Sequence, residues 1–170
     1  PDTYTISDEA AYLGEHFAGR GQGSQTQVLI RGAVTDPETL AAIERASTAV
    51  DDEGTIVVRA DGRAAIEGPP SVIRELAATN ETVAAALEQR DTDGDGLPDE
   101  DVAGFYDVLF DVAPDRAGEV LYRTDSGTYE SARLLVTVQG DAAAQPVADD
   151  TRALATATEA NGPVSAVATG

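Results

Sequence analysis

The stretch Glu119–Gly140, EVLYRTDSGTYESARLLVTVQG, decides the fold. Two apolar runs meet at Asp125-Ser126-Gly127, residue types that favour a tight turn. In the second run Ala132, Leu134, Val136 and Val138 occupy alternate positions, so they project to one side of a strand and mark its core face. Such a face needs helices or a second sheet to cover it.

The flanking sequence supplies helices. Downstream, QPVADDTRALATATEAN reads as a helix over Pro146–Asn161, stopped by Asn161-Gly162 and followed by a strand at Pro163–Ala168. Upstream, TQVLIRG (Thr26–Gly32) is a short strand with Val28 and Ile30 on one face. A helix over Pro37–Val50 comes next, with Asp36 as N-cap, Pro37 at its first position and Leu40, Ile43, Ser47 and Val50 along its inner stripe. TIVVRADGRAAIEG then reads as a hairpin turning at Asp61-Gly62, with Thr55–Ala60 as its strand. Near the N-terminus, Ser7 caps a helix through Tyr12, Leu13, His16 and Phe17, which GRGQGSQ breaks.

Between these halves the period turns helical. Ser71–Ala78 and Asn80–Arg90 read as two helices, and a third carries Val102, Phe105, Tyr106 and Leu109 at i, i+3, i+4, i+7. Removing this middle leaves β-α-β followed by β-α-β. The expected fold is therefore α+β: a ferredoxin-like split βαβ sandwich, a four-stranded antiparallel sheet with two helices on one face. A single domain spans residues 1–170, with a helical insertion at 69–118.

Charge comes next. The chain has 31 Asp and Glu against 11 basic residues, all of them arginine, for a formal net charge of -20. Repulsion at this density disfavours a compact state in dilute buffer, but in molar salt the Debye length falls to about 3 Å and the repulsion largely vanishes. The composition is that expected of a protein from an extreme halophile. It also excludes partners: nucleic acid needs a basic patch, and an anionic membrane surface would repel the chain. Cysteine is absent, which excludes disulfides, thiol chemistry and Cys-ligated zinc. No run approaches the 18 apolar residues of a membrane span. The chain opens at Pro1 and contains no methionine, as expected of a segment excised from something longer.

DTDGDGLPDEDV (Asp91–Val102) is the motif with chemistry in it. Asp91, Asp93 and Asp95 alternate, Gly96 falls at the sixth position and Asp99 at the ninth, the first nine positions of an EF-hand-type calcium loop. Leu97 at the seventh would contribute its carbonyl. Position twelve holds Val102 where a bidentate Glu would close the site, and water would fill that gap. A calcium ion held this way is expected to bind weakly, at ~10⁻⁴–10⁻³ M, and to be structural. The bland reading is a solvated acidic turn.

Nothing else assembles a site. His16 is the only histidine, no serine has a base or a G-x-S-x-G elbow near it, and no glycine-rich cradle follows a strand. Carboxylate pairs are expected by composition alone on so acidic a chain. Asn80-Glu81-Thr82 is a glycosylation sequon, and Asn80 is equally a helix cap. No catalytic or cofactor-binding residue is expected, and the chain is expected not to be an enzyme.

The order of segments resembles one family. EAAYLGEHF, TQVLIRG and VTDPETLAAIERASTAV are similar to the region after the first transmembrane helix of resistance-nodulation-division (RND) transporters, in the MMPL-like hydrophobe-exporter branch. EGPPSVIRELAATNETVAAAL, GLPDEDVAGFYDVLF and VLYRTDSGTYESARLLVTVQG resemble the helical insert and returning strands of that family's first extracytoplasmic loop. The resemblance implies a non-catalytic porter domain on the outer face of the cell membrane. Its implied partners are the transmembrane helices and second porter domain of the same parent chain, hydrophobic or amphiphilic cargo, and further copies in an oligomer. The rival class is a free-standing secreted calcium-binding or adhesion module.

Overall fold

The computed structural model describes residues 25–169; the expected helix from Ser7 and His16 within it lie outside them. The described residues form an α+β fold, a five-stranded antiparallel open sheet and six helices. The strands are β1 (Gln25–Gly32), β2 (Ile66–Glu67), β3 (Leu121–Arg123), β4 (Tyr129–Thr137) and β5 (Val164–Thr169). The helices are α1 (Pro37–Thr48), α2 (Pro69–Thr79), α3 (Glu81–Arg90), α4 (Val102–Val112), α5 (Pro114–Gly118) and α6 (Ala144–Asn161).

The order across the sheet is β2-β4-β1-β5, with β3 also paired to β4. β1 lies between β4 and β5, with Val28 opposite both Leu134 and Ala168, and Ile30 opposite both Ala132 and Ala166. Ala132, Leu134, Val136 and Val138 are all buried, as their alternation predicts. Ser131, Arg133 and Leu135, which alternate with them, are buried as well, so the middle of β4 is enclosed on both faces.

Two strand expectations are corrected. The sheet has five strands, not four, because β3 adds to β4 through Leu121–Ala132 and Tyr122–Ser131 before the register shifts. The strand expected over Thr55–Ala60 is not continuous. The Val57 N–H donates to the Thr137 carbonyl and the Gln139 N–H to Thr55, after which the chain leaves the sheet. Residues 58–64 fold into their own turn, closed by Val58–Ala64 pairing and by Gly62 at φ 86°. The chain then rejoins where the Thr137 N–H donates to the Ala65 carbonyl, and β2 pairs Ile66 with Val136. The same length of β4 is thus covered by two short arms of one hairpin.

α1 begins as the sequence dictates: Pro37 needs no N–H partner, and Asp36 accepts from the Glu38 N–H at 2.9 Å. Its buried stripe is Leu40, Ile43 and Ser47 with Thr39, Ala42 and Ala46; Val50 falls past its end and is only partly buried. α6 starts two residues ahead of the expected Pro146 and packs against α1, β1 and β5. Thr26 on β1 and Thr151 on α6 share a buried hydrogen bond of 3.0 Å, and Asp150 accepts from both the N–H and the hydroxyl of Thr55.

Four helices fill residues 69–118, one more than the period reveals, since α5 is a single short turn after Pro114. α4 buries Val102, Phe105, Tyr106 and Leu109, each worth roughly 1.5–3 kcal/mol. The Tyr106 hydroxyl donates to the Val34 carbonyl at 2.9 Å, tying α4 to the entry of α1. Tyr106 also meets the edge of Tyr129 at a centroid distance of 5.1 Å, which seats the helical segment against β4.

Candidate metal centre

The loop between α3 and α4 is fastened at its neck. Arg90, in the last turn of α3, donates from Nη1 to the Ala86 carbonyl, from Nε to the Asp101 carbonyl and from Nη2 to the Asp101 carboxylate at 3.0 Å. The Asp99 N–H donates to the Arg90 carbonyl at 2.7 Å. Leu97 and Pro98 are buried, so the far side of the loop is pinned by apolar packing as well.

Inside that frame the backbone wraps around carboxylates. Asp91 accepts from the N–H groups of Gly94 and Gly96 at 2.8 and 2.9 Å. Those two glycines sit at φ 76° and 84°, a left-handed conformation that a side chain would strain. Asp93 accepts from the Asp95 N–H, and Asp95 from the Leu97 N–H. One Asp99 oxygen accepts from the Thr92 N–H and hydroxyl and from the Asp93 N–H.

The result is convergence. Asp91, Asp93, Asp95 and Asp99 each offer a carboxylate oxygen, and these oxygens all lie within 4.8 Å of one another. Two ligands on opposite sides of a hard cation at about 2.4 Å are about 4.8 Å apart, so the set has the span of an oxygen-lined site. With four carboxylates and no nitrogen or sulfur, it suits a hard ion and not zinc or copper.

The charges press on one another. Burial raises the Asp91 carboxyl, but the N–H groups of Gly96 and Gly94 and the hydrogen bond with Asp93 outweigh it and hold Asp91 below the ordinary carboxylate range. The Asp95 N–H lowers Asp93, but loss of solvent and the neighbouring Asp95 and Asp91 carboxylates push it above that range. One group is stabilised as an anion at the expense of its neighbour, and a cation among them would relieve both.

The residues outside the cluster have other work. Asp101 is the only non-glycine residue at positive φ among the described residues (φ 47°), and it caps α4 by accepting from the Gly104 N–H. A Cβ on Gly104 would lie 2.3 Å from the Asp101 carboxylate, so this cap requires glycine there. Val102, where a closing Glu would stand, is 2% exposed and belongs to the core face of α4. Leu97 is likewise a core residue, with its N–H on Asp95. Asn80 acts as a cap, its Oδ1 accepting from the N–H groups of Thr82 and Val83.

No family model, curated protein or solved structure matches this chain. No described helix is long and apolar enough to cross a membrane.

Sequence spacing names the four aspartates but not the groups that hold the loop. Arg74 on α2 donates to the Asp95 carbonyl at 3.1 Å and pairs with Glu44 on α1 at 2.9 Å, linking the loop to the helix packed on the sheet. Only Arg90 left a trace in the sequence, as a basic residue in the last turn of a helix just ahead of the acidic loop.

Proposed function

We propose that the chain is an extracytoplasmic porter-type domain of an RND exporter of hydrophobic or amphiphilic molecules, with no catalysis of its own. The observation that carries this reading is the strand order. Taking the two hairpin arms at Thr55–Val57 and Ala65–Glu67 as one strand position, β2-β4-β1-β5 is the second-third-first-fourth order of a ferredoxin-like split βαβ sandwich. α1 and α6 pack on each other, as they must if they share one face, and the four helices at 69–118 fall between the halves. The order of segments resembles that of the family's first extracytoplasmic loop. Its transmembrane helices and second porter domain would be the partners, and the cell membrane the location.

In this reading the acidic loop is a structural calcium site that fixes the α3–α4 turn. The carboxylates would be ligands, with the Leu97 carbonyl and water completing the shell. It would stiffen the helical segment and take no part in moving cargo.

The test is topological. Antibodies against the 170-residue chain, applied to cells that carry the gene, should detect a longer polypeptide. That polypeptide should stay with the membrane through alkaline extraction and be cut by protease added outside intact cells. A free polypeptide of about the chain's own 17.5 kDa, released to the medium, would overturn the proposal in favour of a secreted calcium-binding or adhesion module.

A further inference from the structure

The chain has two asparagines, and the fold uses their side chains differently. Asn161 donates from Nδ2 to the Ala157 carbonyl at 2.8 Å, so its amide is spent on the last turn of α6. Gly162 and Pro163 follow it, with no hydroxyl two residues on. Asn80 is the single residue between α2 and α3, extended at φ -138° and ψ 120° where both its neighbours are helical. Its Oδ1 accepts from the N–H groups of Thr82 and Val83 at 2.9 and 3.1 Å, which only the oxygen of an amide can do. The side chain is thereby fixed with Nδ2 on the other branch. There Nδ2 has no hydrogen-bond partner among the described residues and is not sealed from water.

The third position of Asn80-Glu81-Thr82 is open as well. Thr82 is exposed, and its hydroxyl has no hydrogen-bond partner among the described residues. Thr48, Thr79, Thr151 and Thr158 each spend theirs on a carbonyl one turn back. Thr82 stands at the second position of α3, where the residue four back belongs to another helix. Ala78, Thr79 and Glu81 are exposed too, so the turn presents its free amide and its free hydroxyl together.

We propose that Asn80 is an N-glycosylation site. The co-reactant is a lipid-linked sugar phosphate. Nδ2 attacks the anomeric carbon, the bond from that carbon to the phosphate oxygen breaks, the phosphate leaves with the electron pair, and Nδ2 gives up one proton. Oδ1 takes no part, so the cap of α3 survives the modification. Asn80 and the acidic loop lie at opposite ends of α3, about 15 Å apart, so the sugar stands clear of the four aspartates. The proposal rests on the outward-facing location of the exporter reading, which the secreted alternative shares.

The test is mass spectrometry of the polypeptide purified from cells that carry the gene. The chain has no lysine, so trypsin cuts after Arg74 and Arg90, and the peptide Glu75–Arg90 holds Asn80 as its one asparagine. Its mass should be raised by a sugar increment that fragmentation places on Asn80. Thr82→Ala, which keeps the backbone N–H of the cap, and Asn80→Asp, which keeps the cap oxygen, should each return the peptide to its bare mass. Thr82→Ser should keep the sugar. A bare Asn80 in a polypeptide that protease cuts outside intact cells overturns this proposal and leaves the exporter reading standing. Sugar on Asn80 of a released polypeptide does the reverse. A sugar that survives Asn80→Asp is carried by Thr79 or Thr82, and overturns the proposal too. So does one that survives Thr82→Ala, because the hydroxyl would then have no part in it.

Discussion

Glu67, Glu75 and Glu119 come from β2, α2 and the end of α5, and all three close on a single guanidinium, that of Arg116. Asp91, Asp93, Asp95 and Asp99 come from one loop and close on one another. Both groups crowd carboxylates, and they differ in where the positive charge comes from. The hydrogen bond from Arg116 holds the Glu75 carboxyl below its ordinary range, and the same three acids keep Arg116 firmly protonated. In the loop, the balance leaves Asp93 raised. A crowd of acids with a cation built in cross-links three elements. A crowd without one is a place where the surroundings can supply it.

Removing the built-in cation should have the largest effect. Arg116→Leu leaves three carboxylates facing each other around a site where the arginine was only 24% exposed. A loss of about 2–4 kcal/mol is expected, read from urea denaturation midpoints. Arg116→Lys should recover only part of it, because an ammonium cannot present the planar fork that reaches several partners. A loss below about 0.5 kcal/mol would rank the cluster with ordinary surface pairs and dissolve the contrast.

Supplying the external cation comes second. If the loop binds calcium at ~10⁻⁴–10⁻³ M, then about 10 mM calcium should add roughly 1.4–2.7 kcal/mol, seen as a rise in melting midpoint that chelator reverses. Asp93→Asn and Asp95→Asn should abolish both that rise and the calorimetric heat, while Arg116→Leu keeps them. A shift that survives in the aspartate variants would mean that calcium acts elsewhere on the acidic surface.

Monovalent salt should distinguish the regions more gently. Sodium and potassium chloride alike should raise overall stability toward the molar range, on the order of 1 kcal/mol, by screening the net charge of -20. Hydrogen exchange should slow in the loop more than around Arg116, whose pairs are attractive and lose strength on screening. A melting midpoint that is flat or falls with salt would show that the acidity is compensated locally.

The smallest effect is that of pH, and its two signs are opposite. Glu75 is depressed in the fold, so its contribution is present above the ordinary carboxylate value and is lost as pH falls through the folded value. Asp93 is raised, so its penalty is present at neutral pH and lifts as pH falls through its folded value. Carboxyl titration by NMR should find the two groups displaced in opposite directions, and saturating calcium should reverse the displacement of Asp93 alone.

Local signals in the sequence carried a large part of the fold. Asp36-Pro37 starts α1, Asn80 caps α3, the β4 alternation marks a buried face, and the α4 stripe is buried at all four expected positions. Each depends on residues within a turn or a strand of one another. What stayed hidden depends on distant residues. Nothing local says that Glu67 and Glu75 will share Arg116, that Leu121 will pair with Ala132, or that residues 58–64 will leave the sheet and return. The loop divides the same way. Its aspartates are legible as spacing, whereas Val102 reads as a missing ligand until its burial shows that α4 needs an apolar residue there.

The covering of β4 has one further consequence. Ala132 pairs with both Ile30 and Leu121, and Val136 with both Thr26 and Ile66, so β3 and β2 lie on the side of β4 away from β1. That border of the sheet is a patchwork of three short pieces from two distant parts of the chain, and the opposite border carries the Glu159 carboxylate on Ala166. Neither offers an unbroken row of peptide groups for another molecule to extend. At low salt the net charge would keep copies apart in any case. At molar salt that repulsion is screened away, and protection against sheet-to-sheet aggregation falls to geometry: a frayed border on one side and a stoppered one on the other.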